Sequence, residues 1–125
     1  MSIYKAKNFV ESLKFATNGI ICALKTQRNL KIHFIIALLI LILSYLLKLE
    51  YLEWSVIIFC IVLMIFSELI NTVVEAIIDV HYGDEYSHIA KNAKDVAAGA
   101  VLICAIGVAV VGTMIFLPKM LLLLN

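Results

Sequence analysis

The chain has 125 residues, of which 64% are hydrophobic and 15% charged, with a mean hydropathy of +1.07. So greasy a composition leaves no polar shell for a soluble domain, so an all-α integral membrane protein is expected. A net charge of +1, with no Lys/Arg cluster interleaved with aromatics, argues against a nucleic-acid partner.

Residues 3–29 form the first predicted element, an amphipathic helix. Ala6, Phe9, Val10, Leu13, Ala16, Ile20 and Leu24 follow three- and four-residue steps, while Lys7, Glu11, Lys14, Asn18 and Lys25 gather opposite them. With no soluble core to receive its apolar face, such a helix lies in the membrane interface. No signal peptide is expected, since no apolar run with a cleavage site occurs in this region. Thr26 to His33 forms the hinge into the bilayer. A first span follows over 32–48, where Lys31 and Lys48 can snorkel to the two interfaces.

Lys48 to Glu53 reads as a short polar turn, with Tyr51 and Trp54 as interfacial anchors. The second span, 54–78, is about 37 Å long at 1.5 Å per residue, which exceeds the hydrocarbon core. Its far end carries Glu68, Asn71, Glu75 and Asp79. At about 100° per residue these four lie within a stripe roughly 80° wide, and Thr72 shares it. By the same rise Glu75 sits about 6 Å, and Glu68 about 16 Å, inward of Asp79. A carboxylate at bilayer depth costs about 3 kcal/mol or more. A polar clamp between helices needs one such group, and this stripe has five. Metal and phosphate chemistry at the membrane edge is the sharper reading.

His81 to Lys94 is expected as the one long polar loop, with Gly83 as its turn residue and a return to helix open to the chain from Tyr86 onward. Asp95 then opens a third span, 96–117, closed by Pro118 and Lys119 and rich in small residues that let another helix approach. Cys22, Cys60 and Cys104 have neither an even count nor Cys-x-x-Cys spacing, so they read as packing thiols. His33 is expected at the interface, and His81 and His88 in solvent. Eight basic residues flank the N-terminal and 81–94 segments, against Lys48 and Lys119 on the other side. The positive-inside rule then puts the N-terminus in the cytoplasm and the C-terminus outside a bacterial plasma membrane.

Phosphoryl transfer asks for metal carboxylates, a cation for the phosphates and a base for the attacking hydroxyl. Glu75, Lys94 and Glu68 supply these at graded depths, and Asn71 can hydrogen-bond either glutamate. No Gly-x-x-x-x-Gly-Lys-Ser/Thr run is present, which excludes a P-loop enzyme. A small proton-coupled transporter would also place a glutamate in a helix, but it would not need Lys94-Asp95 at the mouth of the next span. A non-catalytic membrane subunit is the third class.

ELINTVVEAIID followed by AKNAKDVAAGAVL resembles the prokaryotic diacylglycerol kinase family, whose motif is Glu-x-x-Asn-(Ser/Thr)-x-x-Glu and then Ala-Lys-Asp with small residues. Gln27-Arg28-Asn29, Ile32-His33, Ala90 to Asp95 and Ile115 to Lys119 resemble its Gram-positive branch, the undecaprenol kinases. The likeness runs over residues 9–119. It implies a homotrimer of three-span subunits with a surface helix, in which ATP and Mg²⁺ phosphorylate a membrane lipid alcohol, undecaprenol or alternatively diacylglycerol. It also implies Glu68 as the base, Glu75 and Gln27 as magnesium ligands, and Lys94, Asp95, Glu85, Tyr86, Ser87 and Phe15 as nucleotide contacts. Asn71 and Asp79 have supporting roles. One departure stands out. The family has a metal-ligating Glu before the Arg-Asn pair, and here that position is Gln27, whose neutral amide removes one negative charge from the site.

Overall fold

The computed structural model describes residues 5–83 and 85–124, and these form four helices: α1 (Phe9–Thr26), α2 (Arg28–Leu46), α3 (Tyr51–Tyr82) and α4 (His88–Leu124). The latter three are long and apolar enough to cross a membrane. At 1.5 Å per residue α2 is about 28 Å long, α3 about 48 Å and α4 about 55 Å. Only α2 is matched to a hydrocarbon layer of about 30 Å, so α3 and α4 project beyond it. The expected windows 32–48, 54–78 and 96–117 fall on these helices, apart from Leu47 and Lys48 in the turn that follows α2.

Local chemistry sets the ends of α1. Residues 3 and 4 of the expected 3–29 segment lie outside the described residues. Asn8 is extended, and its side chain accepts the Glu11 N–H at 2.8 Å, while the Glu11 carboxylate accepts the Lys7 N–H at 2.6 Å. That reciprocal cap starts the helix at Phe9 rather than earlier. At the other end Gln27 takes φ −97° and ψ 114°, although its N–H still reaches the Ala23 carbonyl at 2.8 Å. Arg28 and Asn29 therefore open α2 instead of finishing α1. A single extended residue redirects the chain from the surface helix into the bilayer.

The buried residues of α2 are Leu30, Ala37 and Ser44, seven apart, and they form one seam. Ser44 donates to its own Ile40 carbonyl at 2.8 Å, so its hydroxyl is satisfied within the helix. The matching buried seam of α3 is Ile57, Met64, Glu68 and Asn71. This seam starts apolar and ends polar. Between the two helices Lys48 takes a positive φ of 50°, Leu49 is buried, and Glu50 and Glu53 cap α3 reciprocally. Most of the packing is between α3 and α4. The half-buried positions of α4 include Ala97, Val101, Cys104, Val108, Val111 and Ile115, again at three- and four-residue steps.

The expected polar loop is shorter than 81–94: α3 continues to Tyr82, and the return to helix open from Tyr86 onward begins at His88 as α4. Gly83 stops α3 at φ +55°, a conformation that an L side chain strains, with its N–H on the Asp79 carbonyl at 3.0 Å. Ser87 starts α4, its hydroxyl accepting the Ala90 N–H at 3.4 Å and its carbonyl the Lys91 N–H at 2.9 Å. Contrary to expectation, Pro118 does not end the last helix, which carries it inside and runs on to Leu124. A proline removes one N–H from the ladder, and Lys119 meanwhile ties this end of α4 to Glu53 of α3 at 2.8 Å.

Candidate active site

The polar half of the α3 seam is graded in exposure. Glu68 is 3% exposed and Asn71 7%, Glu75 is half-buried, and Asp79 is exposed. The gradient follows from the helix running out of the packed layer toward Gly83. Asn71 Nδ2 donates to Glu75 Oε1 at 3.0 Å, so the amide is bonded to the outer of the two glutamates. Its Oδ1 is buried and has no hydrogen-bond partner among the described residues. A buried acceptor left unpaired costs about 1–3 kcal/mol, so a donor or a cation is called for at this point. Thr72 shares the stripe, but its hydroxyl donates to the Glu68 carbonyl at 2.9 Å and is thereby spent on the backbone.

Lys94 is brought to the mouth of this stripe. Its Nζ pairs with Asp79 Oδ1 across the α3–α4 contact, while Lys91 pairs with Asp95 one turn apart on α4. The side chains in the first pair are 38% and 63% exposed. Exposed ion pairs contribute only about 0–1 kcal/mol, so neither cation is held tightly. A dianionic phosphate can compete for Lys94, and a nucleotide can likewise draw Asp95 away from Lys91.

The other sequence-predicted residues are placed less centrally. Glu85 and Tyr86 are exposed on the link between α3 and α4, and Tyr86 Oη lies 3.3 Å from His88 Nδ1. Ser87 serves as the start of α4. Phe15, 46% exposed, is on α1 but does not line the groove that α1 forms with α3. Gln27 does line it, together with Leu69, Thr72, Val73 and Ala76. Thr72 and Ala76 flank Glu75 in the helix, so Gln27 sits at the level of Glu75 on the adjoining side of α3.

The donor set suits a hard cation. Glu68, Glu75, Asn71 and Gln27 offer oxygen atoms only, which is the chemistry of magnesium sites. Among the described residues no three of the His, Cys, Asp and Glu side chains converge as a ready-made cage. Magnesium is commonly held by one or two carboxylates completed by substrate phosphates and water, and this sparse set fits that habit. Sequence pattern could place the stripe. It could not show that one amide oxygen in it is uncommitted.

Comparison with known proteins adds three relatives and a family. The family model described as prokaryotic diacylglycerol kinase matches residues 14–116. An undecaprenol kinase from Bacillus subtilis is 38% identical over 112 residues, 90% of this chain and 90% of that protein. A diacylglycerol kinase from Synechocystis sp. is 38% identical over 116 residues, 93% of this chain but 66% of the relative, so the chain spans just under two thirds of that protein. A diacylglycerol kinase from Helicobacter pylori is 34% identical over 102 residues, 79% of each chain.

Proposed function

The chain belongs to the prokaryotic diacylglycerol kinase family of membrane lipid kinases, and from that premise we propose that it transfers the γ-phosphoryl group of ATP to undecaprenol, giving undecaprenyl phosphate. The observation that carries the phosphoryl-transfer reading is the α3 stripe, with its carboxylate of 3% exposure at the inner end and Lys94 at the outer end. Such a site meets a lipid hydroxyl from the bilayer and a nucleotide from water.

In this reading Glu68 accepts the proton of the lipid hydroxyl as the oxygen attacks the γ-phosphorus, and the bond to the β–γ bridging oxygen breaks to release ADP. Lys94 leaves Asp79 for the phosphates and offsets their charge. Asn71 keeps Glu75 oriented. Glu75 and Gln27 would hold magnesium, which when bound would neutralise charge on the phosphates. Asp95, Glu85, Tyr86, Ser87 and Phe15 contact the nucleotide, and Asp79 supports the site by receiving Lys94 when nucleotide leaves. The site opens to the cytoplasm, because eight of the ten basic residues lie at its end of the helices. Neighbouring copies, three in all, wall the stripe from lipid, since one surface helix and three spans leave much of the α3 face open.

Undecaprenol is preferred to diacylglycerol on the strength of Arg28-Asn29, Ile32-His33 and the Ala90 to Asp95 run, and of a Bacillus relative matched over nine-tenths of both chains. Purified protein with MgATP in mixed micelles should phosphorylate undecaprenol faster than diacylglycerol. The reverse ranking would move the assignment to the activity named for the Synechocystis and Helicobacter relatives. Light scattering in mild detergent should give a trimeric mass, and an active monomer would refute the assembly.

A further inference from the structure

Six of the ten basic residues crowd into residues 5–31: Lys5, Lys7, Lys14, Lys25, Arg28 and Lys31. All six are exposed, and among the described residues none of their side chains has a hydrogen-bond or ion-pair partner. By contrast, Lys91, Lys94 and Lys119 each pair with a carboxylate. Glu11 is the one acid in the same segment, and its carboxylate is taken by the Lys7 N–H in the cap of α1. Cations that the chain leaves unpaired call for anions from outside it.

The helical turn of α1 gives these charges a direction. At 100° per residue, Ala16, Gly19, Ala23 and Thr26, which line the groove against α3, gather on one side. Phe9, Ile20, Leu13 and Leu24 occupy the next arc, which ends at Val10 and Ile21. Lys14 and Lys25 follow within about 40° of that edge, about 150° from the middle of the groove side. The apolar arc is bare, with Phe9 81%, Val10 75% and Leu13 59% exposed. Sunk in a bilayer, it leaves the two lysines at its margin, level with the headgroups. They are eleven residues apart, about 16 Å along the helix. One bound phosphate cannot meet both, whereas a surface of acidic headgroups can.

Among the described residues of α1 only Ala23 is buried, so packing on its own chain holds this helix weakly. The helix nevertheless leads straight into Gln27, the single extended residue that lines the α3 groove beside Thr72 and Ala76. We propose that α1 senses membrane charge: Lys14 and Lys25 dock it on acidic phospholipid headgroups, and the docked helix seats Gln27 against α3. Acidic lipid then raises turnover, and a neutral surface leaves α1 loose and the site incomplete. The docking stands on charge and exposure alone. Its effect on rate rests on the lipid-kinase reading.

The test uses the full-length protein in vesicles of phosphatidylcholine, alone or with about 30 mol% phosphatidylglycerol. Amide hydrogen exchange over residues 9–26 should slow at least about fivefold in the acidic vesicles, the gain expected from even one lysine at an anionic surface. The rate of undecaprenol phosphorylation at fixed MgATP should rise at least about threefold, and about 0.5 M potassium chloride should remove both gains. Lys14→Gln combined with Lys25→Gln keeps helix propensity at exposed positions, so the fold survives. That variant should lose both gains while exchange in α3 and α4 is unchanged, and Lys14→Arg with Lys25→Arg should keep them. Exchange equally slow in both vesicles assigns α1 to apolar or protein contacts and overturns the docking. A slowing that survives the double glutamine variant overturns the role of the lysines. Slowed exchange at an unchanged rate overturns the regulation. A wild type that phosphorylates no lipid alcohol in either vesicle sinks the lipid-kinase reading and the regulation with it, while slowed exchange still supports the docking.

Discussion

The two ends of the α3–α4 pair are each tied by a lysine and a carboxylate, yet they are built differently. At one end Lys119 and Glu53 meet at 2.8 Å with side chains 21% and 28% exposed, and Glu53 also accepts the Glu50 N–H at 2.7 Å as part of a helix cap. At the other, Lys94 and Asp79 are 38% and 63% exposed, and among the described residues neither side chain has a second partner. The first pair is half-buried and shared with the backbone, which suits a fastening. The second is open, lies at the mouth of the α3 stripe, and can be exchanged for a ligand. On the function proposed above, similar charges serve structure at one end and chemistry at the other, and exposure tells the two pairs apart.

The comparison is broken most severely at Glu68. Glu68→Gln should lower kcat by about 10²–10⁴ and leave nucleotide affinity within about twofold, because a base acts on the hydroxyl and not on ATP. Turnover measured beside binding of a fluorescent nucleotide checks this, and a parallel loss of both would make Glu68 a binding residue. Next comes Glu75→Gln, which leaves only amide oxygens beside Glu68 for the cation. The magnesium concentration for half-maximal rate should rise at least about tenfold. An unshifted titration would exclude Glu75 from the metal.

A smaller effect separates the two ends directly. Glu53→Gln or Lys119→Met should lower the thermal midpoint while kcat stays within about twofold. Lys94→Met should raise KM for ATP with little change in melting. If the two sets of variants behave alike, the distinction between fastening and exchangeable pair is wrong.

Much of this arrangement was legible in the sequence, because a polar stripe in an apolar helix is a pattern of period 3.6 and needs no tertiary information. Glu68, Asn71, Glu75 and Asp79 were aligned by spacing alone. Gly83 was also readable as a stop, since only glycine adopts its backbone without strain. The helix ends were not. Lys25 to Asn29 are all polar and mark a hinge, but no periodicity says that Gln27 is the one extended residue in it. A return to helix after Tyr86 was open in the polar segment, but nothing in it showed that Ser87 caps the helix and that Ala90 is buried. The tie between Lys119 and Glu53 depends on how helices far apart in sequence pack, which no single-helix pattern contains.

The smallest expected effect is the most discriminating, because at Gln27 the family resemblance implies a metal-ligating glutamate and this chain carries an amide. Gln27 links α1 to α2 and lines the groove beside Thr72 and Ala76, the neighbours of Glu75. If its amide oxygen completes the cation site, Gln27→Glu adds a full negative charge to a ligand set in which Glu75 is the carboxylate. Coulomb attraction at a few ångströms is worth several kcal/mol even at an effective dielectric near 20. Desolvation of the new carboxylate and the loss of amide hydrogen bonds offset most of this, leaving about 1 kcal/mol, or about fivefold in apparent magnesium affinity. The extended backbone of residue 27 is common to both side chains, so the fold should not be disturbed. A magnesium titration of the kinase rate at saturating ATP, wild type against Gln27→Glu, reads the effect, and the variant should need about one fifth of the magnesium. Superimposed curves would place Gln27 outside the metal's reach and leave it the single task of turning the chain from the surface helix into the membrane.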